Sequence, residues 1–96
     1  MNLLVIEDHT SGGEQLCEAL VGAKHSCLLT SRARDAVERA RKQRDDAIIL
    51  SLSLREPALE VLKEVRGLGI RTPLIALASS GAMAKRIAAL KAGADD

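Results

Sequence analysis

The apolar residues of this chain fall in short bursts, separated by longer stretches in which they recur every three or four positions. Residues 3–6 (Leu-Leu-Val-Ile), 26–30 (Ser-Cys-Leu-Leu-Thr), 47–50 (Ala-Ile-Ile-Leu) and 74–78 (Leu-Ile-Ala-Leu-Ala) are the bursts. Runs this short, rich in Ile, Leu and Val, predict strands, and the most continuous of them predict burial on both faces, as in a parallel sheet. Between them the spacing changes. Leu16, Ala19 and Leu20 recur at helical intervals, then Ala33, Ala36, Val37 and Ala40, then Leu59, Leu62 and Val65, and last Ile87, Ala88 and Leu90. Each set predicts a helix with one apolar face turned to the sheet.

The boundaries carry their own signals. Ser11 followed by Glu14 has the spacing of a capping box, so the first helix is expected to begin near Gly12 and to end at Gly22. Ser31 is expected to cap the second helix. Pro57 suits the first turn of the third, which Gly67 and Gly69 terminate, and the last helix, over 82–92, stops at Gly93. Strand and helix alternate four times in 96 residues. That order predicts a single α/β domain over 1–96, a doubly wound parallel sheet with right-handed connections. In a flavodoxin-like strand order, 2-1-3-4, the fourth strand lies at an edge, with only Ala94-Asp95-Asp96 after the last helix. The expectation is a bare apolar edge, covered either by sequence continuing past Asp96 or by another copy of the chain.

Composition narrows the class. Hydrophobic residues make up 47% and charged residues 28%, the balance of a globular domain, and aromatics are absent, so the core is built from smaller side chains and modest stability is expected. A net charge of +1 gives no overall drive toward nucleic acid or an anionic membrane. The apolar run at 3–6 is short and has no basic leader, and the longest uncharged stretch, 72–84, is broken by Pro73 and Gly81, so neither a targeting segment nor a membrane span is expected. Cys17 and Cys27 have no metal-ligand spacing and read as two small buried thiols of a cytoplasmic protein. Residues 31–44 carry six basic residues against two acidic ones, which reads as a solvated basic helix face.

In open parallel sheets the chemistry lies beyond the carboxyl ends of the strands. Here those places hold Glu7-Asp8-His9, residues 51–55, and Ala78-Ser79. Leu-Val-Ile-Glu7-Asp8, Asp46-Ala-Ile-Ile-Leu-Ser51-Leu-Ser-Leu54, Thr72-Pro-Leu-Ile-Ala-Leu-Ala78 and Lys91-Ala-Gly-Ala-Asp-Asp96 resemble, in order, four segments of the receiver domain of two-component response regulators. The resemblance covers essentially the whole chain and implies that a fifth strand and helix of the family are absent from it. It also implies a mechanism: an aspartate on the third strand accepts a phosphoryl group, and the acidic pair holds Mg²⁺. A hydroxyl residue ending the fourth strand and a lysine ending the fifth bind the phosphoryl group.

This chain keeps the acidic pair, Glu7 and Asp8, and departs from the pattern elsewhere. Ser51 stands at the acceptor position and Ala78 at that of the switch hydroxyl. Arg55 replaces the usual proline, and the loop that follows is one residue short and lacks its usual glycine. A serine hydroxyl is un-ionised near neutral pH and adds no charge to a metal site, so phosphorylation on the family's mechanism should fail and Mg²⁺ should bind weakly, if at all. Arg55 and Ser79 are expected to line the pocket, with Arg55 pairing with the acidic residues, and His9 is read as an exposed loop residue.

The implied function is that of an atypical, phosphorylation-independent receiver, not an enzyme. It would act by dimerising, through the fourth-strand edge and last helix, or by docking, and so control an output domain that supplies any DNA contact. Two alternatives stand beside it: a phosphorelay receiver with its acceptor moved to Asp8 or Ser53, and an anion-binding domain using Ser11-Gly12-Gly13 at a helix N-terminus.

Overall fold

The computed structural model describes residues 1–9, 12–79 and 81–96. Four strands, β1 (Asn2–Ile6), β2 (Ser26–Thr30), β3 (Ala47–Ser51) and β4 (Leu74–Leu77), alternate with four helices, α1 (Gly13–Gly22), α2 (Ala33–Arg41), α3 (Ala58–Gly67) and α4 (Met83–Ala92). The sheet is parallel, in the order β2-β1-β3-β4. Both the alternation and the strand order are those expected from the sequence.

Of the central strands, β1 is buried on both faces from Leu3 to Ile6, whereas β3 buries Ile48 and Leu50 on one face and leaves Ala47 and Ile49 half-buried on the other. Leu4 and Ile6 of β1, Ile48 and Leu50 of β3 and Leu74 of β4 share one cluster with Ala36, Val37 and Ala40 of α2 and with Ala58, Val61, Leu62 and Val65 of α3. Leu3 and Val5, pointing the other way by the period of two, are also buried, and α1 packs on β1 and β2. Each fully buried Leu, Ile or Val contributes roughly 1.5–3 kcal/mol relative to exposure, and nine large side chains are buried this completely.

Several local expectations are corrected. The N-cap of α2 is Arg32, not Ser31, and no side chain of its own segment caps it. Instead the Ala33 N–H donates to Glu56 Oε1 at 2.7 Å, a cap brought from the loop after β3. In α4 the inward residue is Ala89, fully buried, while Ile87 and Leu90 are 45% and 51% exposed. Ala89 joins the core cluster and the helix packs against α3, while its larger side chains turn outward. Ala19 of α1 is likewise exposed. Ser11, expected both in the capping pair and in an anion-binding loop, lies outside the described residues; α1 starts at Gly13 behind an N-cap at Gly12 with φ 96°.

The edge of β4 is not bare. The Asp95 N–H donates to the Leu74 carbonyl at 2.9 Å, and the Ala76 N–H donates to the Asp96 carbonyl at 2.7 Å, so residues 95–96 continue the ladder. The Leu74 N–H donates to Asp95 Oδ2. Arg66 holds this corner: its guanidinium donates to the carbonyls of Gly93, Ile70 and Thr72, each at 2.9 Å, and to Asp95 Oδ2 at 3.0 Å.

Cys17 and Cys27 are not separate buried thiols. Both are half-buried and their sulfurs are bonded, joining α1 to the edge strand β2 across a Cα–Cα distance of 5.8 Å. The helix and strand lie against each other and turn one cysteine each toward the contact. A spacing of ten residues along the chain carries no trace of that.

Candidate functional site

The carboxyl ends of β1 and β3 lie side by side, since Ile6 pairs with Leu50. Past Ile6, the Glu7 N–H donates to the Thr30 carbonyl and so ties the segment to β2. The chain then turns: the Asp8 N–H donates to Glu7 Oε1 at 2.8 Å, and the Gly13 N–H donates to the Asp8 carbonyl at 3.3 Å. That close approach needs a glycine, because a Cβ at position 13 would lie 2.9 Å from the Asp8 carbonyl oxygen and 3.0 Å from the Leu29 side chain. The helix start thus seats Asp8, whose side chain is turned inward, leaving the residue only 9% exposed.

Ser51 ends β3 and is 4% exposed. Its hydroxyl accepts a hydrogen bond from the Ser53 N–H at 3.2 Å, the short local bond that serine favours where a strand gives way to a turn. The loop over 52–57 then bends back over the acidic pair, and the Arg55 N–H donates to Asp8 Oδ2 at 3.1 Å. Glu7, Asp8, Ser51 and the backbone of Arg55 therefore form one cluster, in which the bonded pair Asp8 and Arg55 lies 47 positions apart.

The guanidinium of Arg55 plays no part in it. The expected ion pair with Glu7 or Asp8 does not form: among the described residues the ion pairs are Arg39–Asp45, Arg41–Glu38, Lys63–Glu60 and Arg66–Asp95. Arg55 contributes its amide, and its exposed side chain borders a cavity of about 310 Å³ between the loop and α4, where Leu54, Pro57, Lys85 and Ala88 also line the wall. Ala78 follows Leu77, the register partner of Ser51, and its methyl brings no hydroxyl to this end of the sheet. Ser79 is exposed, and its carbonyl accepts the Ala82 N–H at the start of α4. His9 is exposed, as expected.

A divalent cation of the kind the resemblance implies needs several hard oxygen donors converging on one point. The donor set here does not fit one. Among the described residues no three Asp, Glu, His or Cys side chains converge. The third group of the cluster is a neutral hydroxyl already accepting a bond, and the buried carboxylate is taken by a backbone amide. Sequence reasoning found Glu7, Asp8 and Ser51 but missed this donor, because a main-chain N–H belongs to every residue type except proline. The one available signal was the departure from proline at position 55.

No family model matches the chain. The response regulator MprA of Mycolicibacterium vanbaalenii is 31% identical over 97 aligned residues, covering all of this chain and 42% of that protein. MprA of Mycobacterium leprae matches equally, at 31%. The chain thus spans less than half the length of these relatives. Among solved structures, a putative response regulator from Chloroflexus aurantiacus superposes with a TM-score of 0.87 at 28% identity, covering 99% of this chain and 80% of that one. The receiver domain of the sensor histidine kinase PA1611 from Pseudomonas aeruginosa, solved with a magnesium ion coordinated in its active-site cleft, gives 0.86 at 28% identity with the same coverage.

Proposed function

This chain belongs to the response regulator receiver family of two-component signalling, and we propose that it works as a pseudo-receiver whose conformation is not set by phosphoryl transfer to an aspartate. One observation carries the reading. At the acceptor position stands Ser51, buried, neutral and with its hydroxyl bonded to the Ser53 amide. Receiver chemistry needs an ionised acceptor open to a phosphodonor, and an un-ionised serine without an adjacent base is a poor nucleophile. Glu7 and Asp8 survive as an acidic pocket that orders the loop, and Ala78 offers no hydroxyl with which to sense a phosphoryl oxygen.

The domain would signal by contact. Met83, Ile87 and Leu90 form an exposed apolar set on α4, suited to a second copy of the chain or to an output domain. The relatives it matches are more than twice its length, in keeping with an output domain that would supply any DNA binding. No helix among the described residues is long and apolar enough to cross a membrane, and we assign the domain to the cytoplasm, as a signalling module rather than a catalyst.

The test is an amide NMR titration with Mg²⁺ followed by beryllofluoride, a phosphoryl mimic. The expected result is no response to the mimic, with any Mg²⁺ shifts confined to Glu7, Asp8 and the adjoining loop. Saturable shifts running from Ser51 through Ala78 into α4 would overturn the proposal.

A further inference from the structure

We propose that Cys17 and Cys27 form a reversible redox site, opened and closed by small thiols and disulfides of positive charge, and that its state is felt at Asp8. Redox control of this kind holds whether or not the pocket takes a phosphoryl group, and so goes beyond the pseudo-receiver reading.

The chain has two cysteines, and the fold joins them, leaving neither free. Their bond lies outside the core, because the buried cluster takes no side chain from α1 or β2. The bond can therefore open without breaching the core. Cys17 is also within reach of a reagent: it lines an open hollow with Glu14, Glu18, Val21, Gly22 and Leu29. Glu14 and Glu18 are exposed, share the helix face of Cys17, and enter no ion pair among the described residues. Two such carboxylates draw a cationic reagent toward the sulfur and repel an anionic one. On the other side of the bond, Cys27 borders Arg39, whose charge Asp45 already offsets.

The step is thiol–disulfide exchange. A thiolate attacks the Cys17 sulfur, forms a mixed disulfide and releases Cys27 as a thiolate, which takes up a proton. A second thiolate then attacks the small molecule's sulfur in that mixed disulfide and releases Cys17, which is protonated in turn. The protein disulfide and two small thiols thus give two protein thiols and one small disulfide. The reverse reaction closes the bond and reduces the small disulfide. Its reach to the pocket follows from position. Cys17 comes one turn after Gly13 in α1, and Cys27 precedes Leu29 and Thr30 in β2. The Gly13 N–H donates to the Asp8 carbonyl where a Cβ would meet the Leu29 side chain, and the Thr30 carbonyl accepts the Glu7 N–H. The bond clamps together the two elements that seat the acidic pair, and opening it frees them to part.

The experiment follows opening of the bond in the oxidised chain at low salt, by alkylation and intact mass. Cysteamine, 2-mercaptoethanol and 2-mercaptoethanesulfonate serve as cationic, neutral and anionic thiols. Each rate is divided by the same thiol's rate on 2-hydroxyethyl disulfide, a neutral reference, which removes differences in basicity. Cysteamine is expected to exceed the sulfonate about tenfold, with the neutral thiol between them. In Glu14→Gln with Glu18→Gln the gap should shrink to about twofold, since the charges that set it are gone. Equal relative rates for the three thiols, a gap that survives the double substitution, or a bond that none of them opens in the folded chain would each overturn the proposal. So would a failure of cystamine to restore one intramolecular bond in the reduced chain. Hydrogen exchange gives the second readout. On opening, the Gly13 and Glu7 amides should quicken severalfold while the Val65 amide of α3 keeps its rate. Exchange at Gly13 and Glu7 that ignores the redox state would overturn the link to Asp8 and with it the proposal.

Discussion

At the scale of single residues, Arg66 bonds more main-chain groups than any other side chain among the described residues. It is one of 14 basic residues and sits on the polar side of a helical repeat, where a sequence offers no reason to choose it. Its guanidinium satisfies three main-chain carbonyls and one carboxylate at the junction of α3, β4 and residues 93–95. Arg66→Ala leaves those carbonyls short of donors and should cost about 3 kcal/mol, with Arg66→Lys recovering only part, since an ammonium cannot span the same fork; urea unfolding measures both. Gly93 is the neighbouring constraint. Its φ is 116°, and a Cβ there would lie 2.7 Å from Arg66 Cγ, so Gly93→Ala should destabilise through the same contact. Asp45 raises the pKa of Arg39, chiefly through their hydrogen bond. A cation whose folded pKa is raised contributes fully below its ordinary pKa and is lost only as pH climbs through the folded one. The urea midpoint difference between wild type and Arg39→Gln should therefore stay constant from about pH 6 to about pH 9.

At the scale of elements, the sequence was legible where a strand gives a continuous apolar run, as in residues 47–50, and where a glycine must end a helix, as at Gly93. It was less legible where an element's partner lies elsewhere in the chain. Periodicity placed α4 but chose Ile87 and Leu90 for its inner face, because pattern rewards size, while the residue that joins the core is the small Ala89. Local capping rules chose Ser31 for α2, yet the acceptor is Glu56, 23 residues away from the amide it takes. Glu56→Ala should lower stability by about 1 kcal/mol, with faster exchange at the Ala33 amide as its local signature. The layer of α1 against β2 buries little apolar side chain: Gly13 is the buried residue of the helix and β2 has no fully buried position. The Cys17–Cys27 bond fastens that layer. Reduction, or Cys17→Ser, should cost about 2–3 kcal/mol, a fall in melting temperature of roughly 10 °C or more that a scan with and without reductant would record. In a reducing cytoplasm the same layer would stand unfastened.

At the scale of the whole molecule, the sheet has the receiver strand order, and at its carboxyl end internal hydrogen bonds join Ser53 to Ser51 and Arg55 to Asp8. Among the large apolar side chains that stay outward are Met83, Ile87 and Leu90 of α4, beside Ile75 and Leu77 of β4. If that surface carries the output, Ile87→Glu with Leu90→Glu should abolish self-association in sedimentation velocity while leaving the melting temperature nearly unchanged, since both side chains are already half exposed. The fold manages this with no Trp, Tyr or Phe and two cysteines. Protein of this kind is nearly invisible to the ultraviolet detectors and fluorimeters on which folding work usually relies. In the near ultraviolet the dichroism would come from the sulfur bridge between α1 and β2 alone. The spectrum that reports tertiary order in other domains would here report the oxidation state of one bond, free of aromatic background.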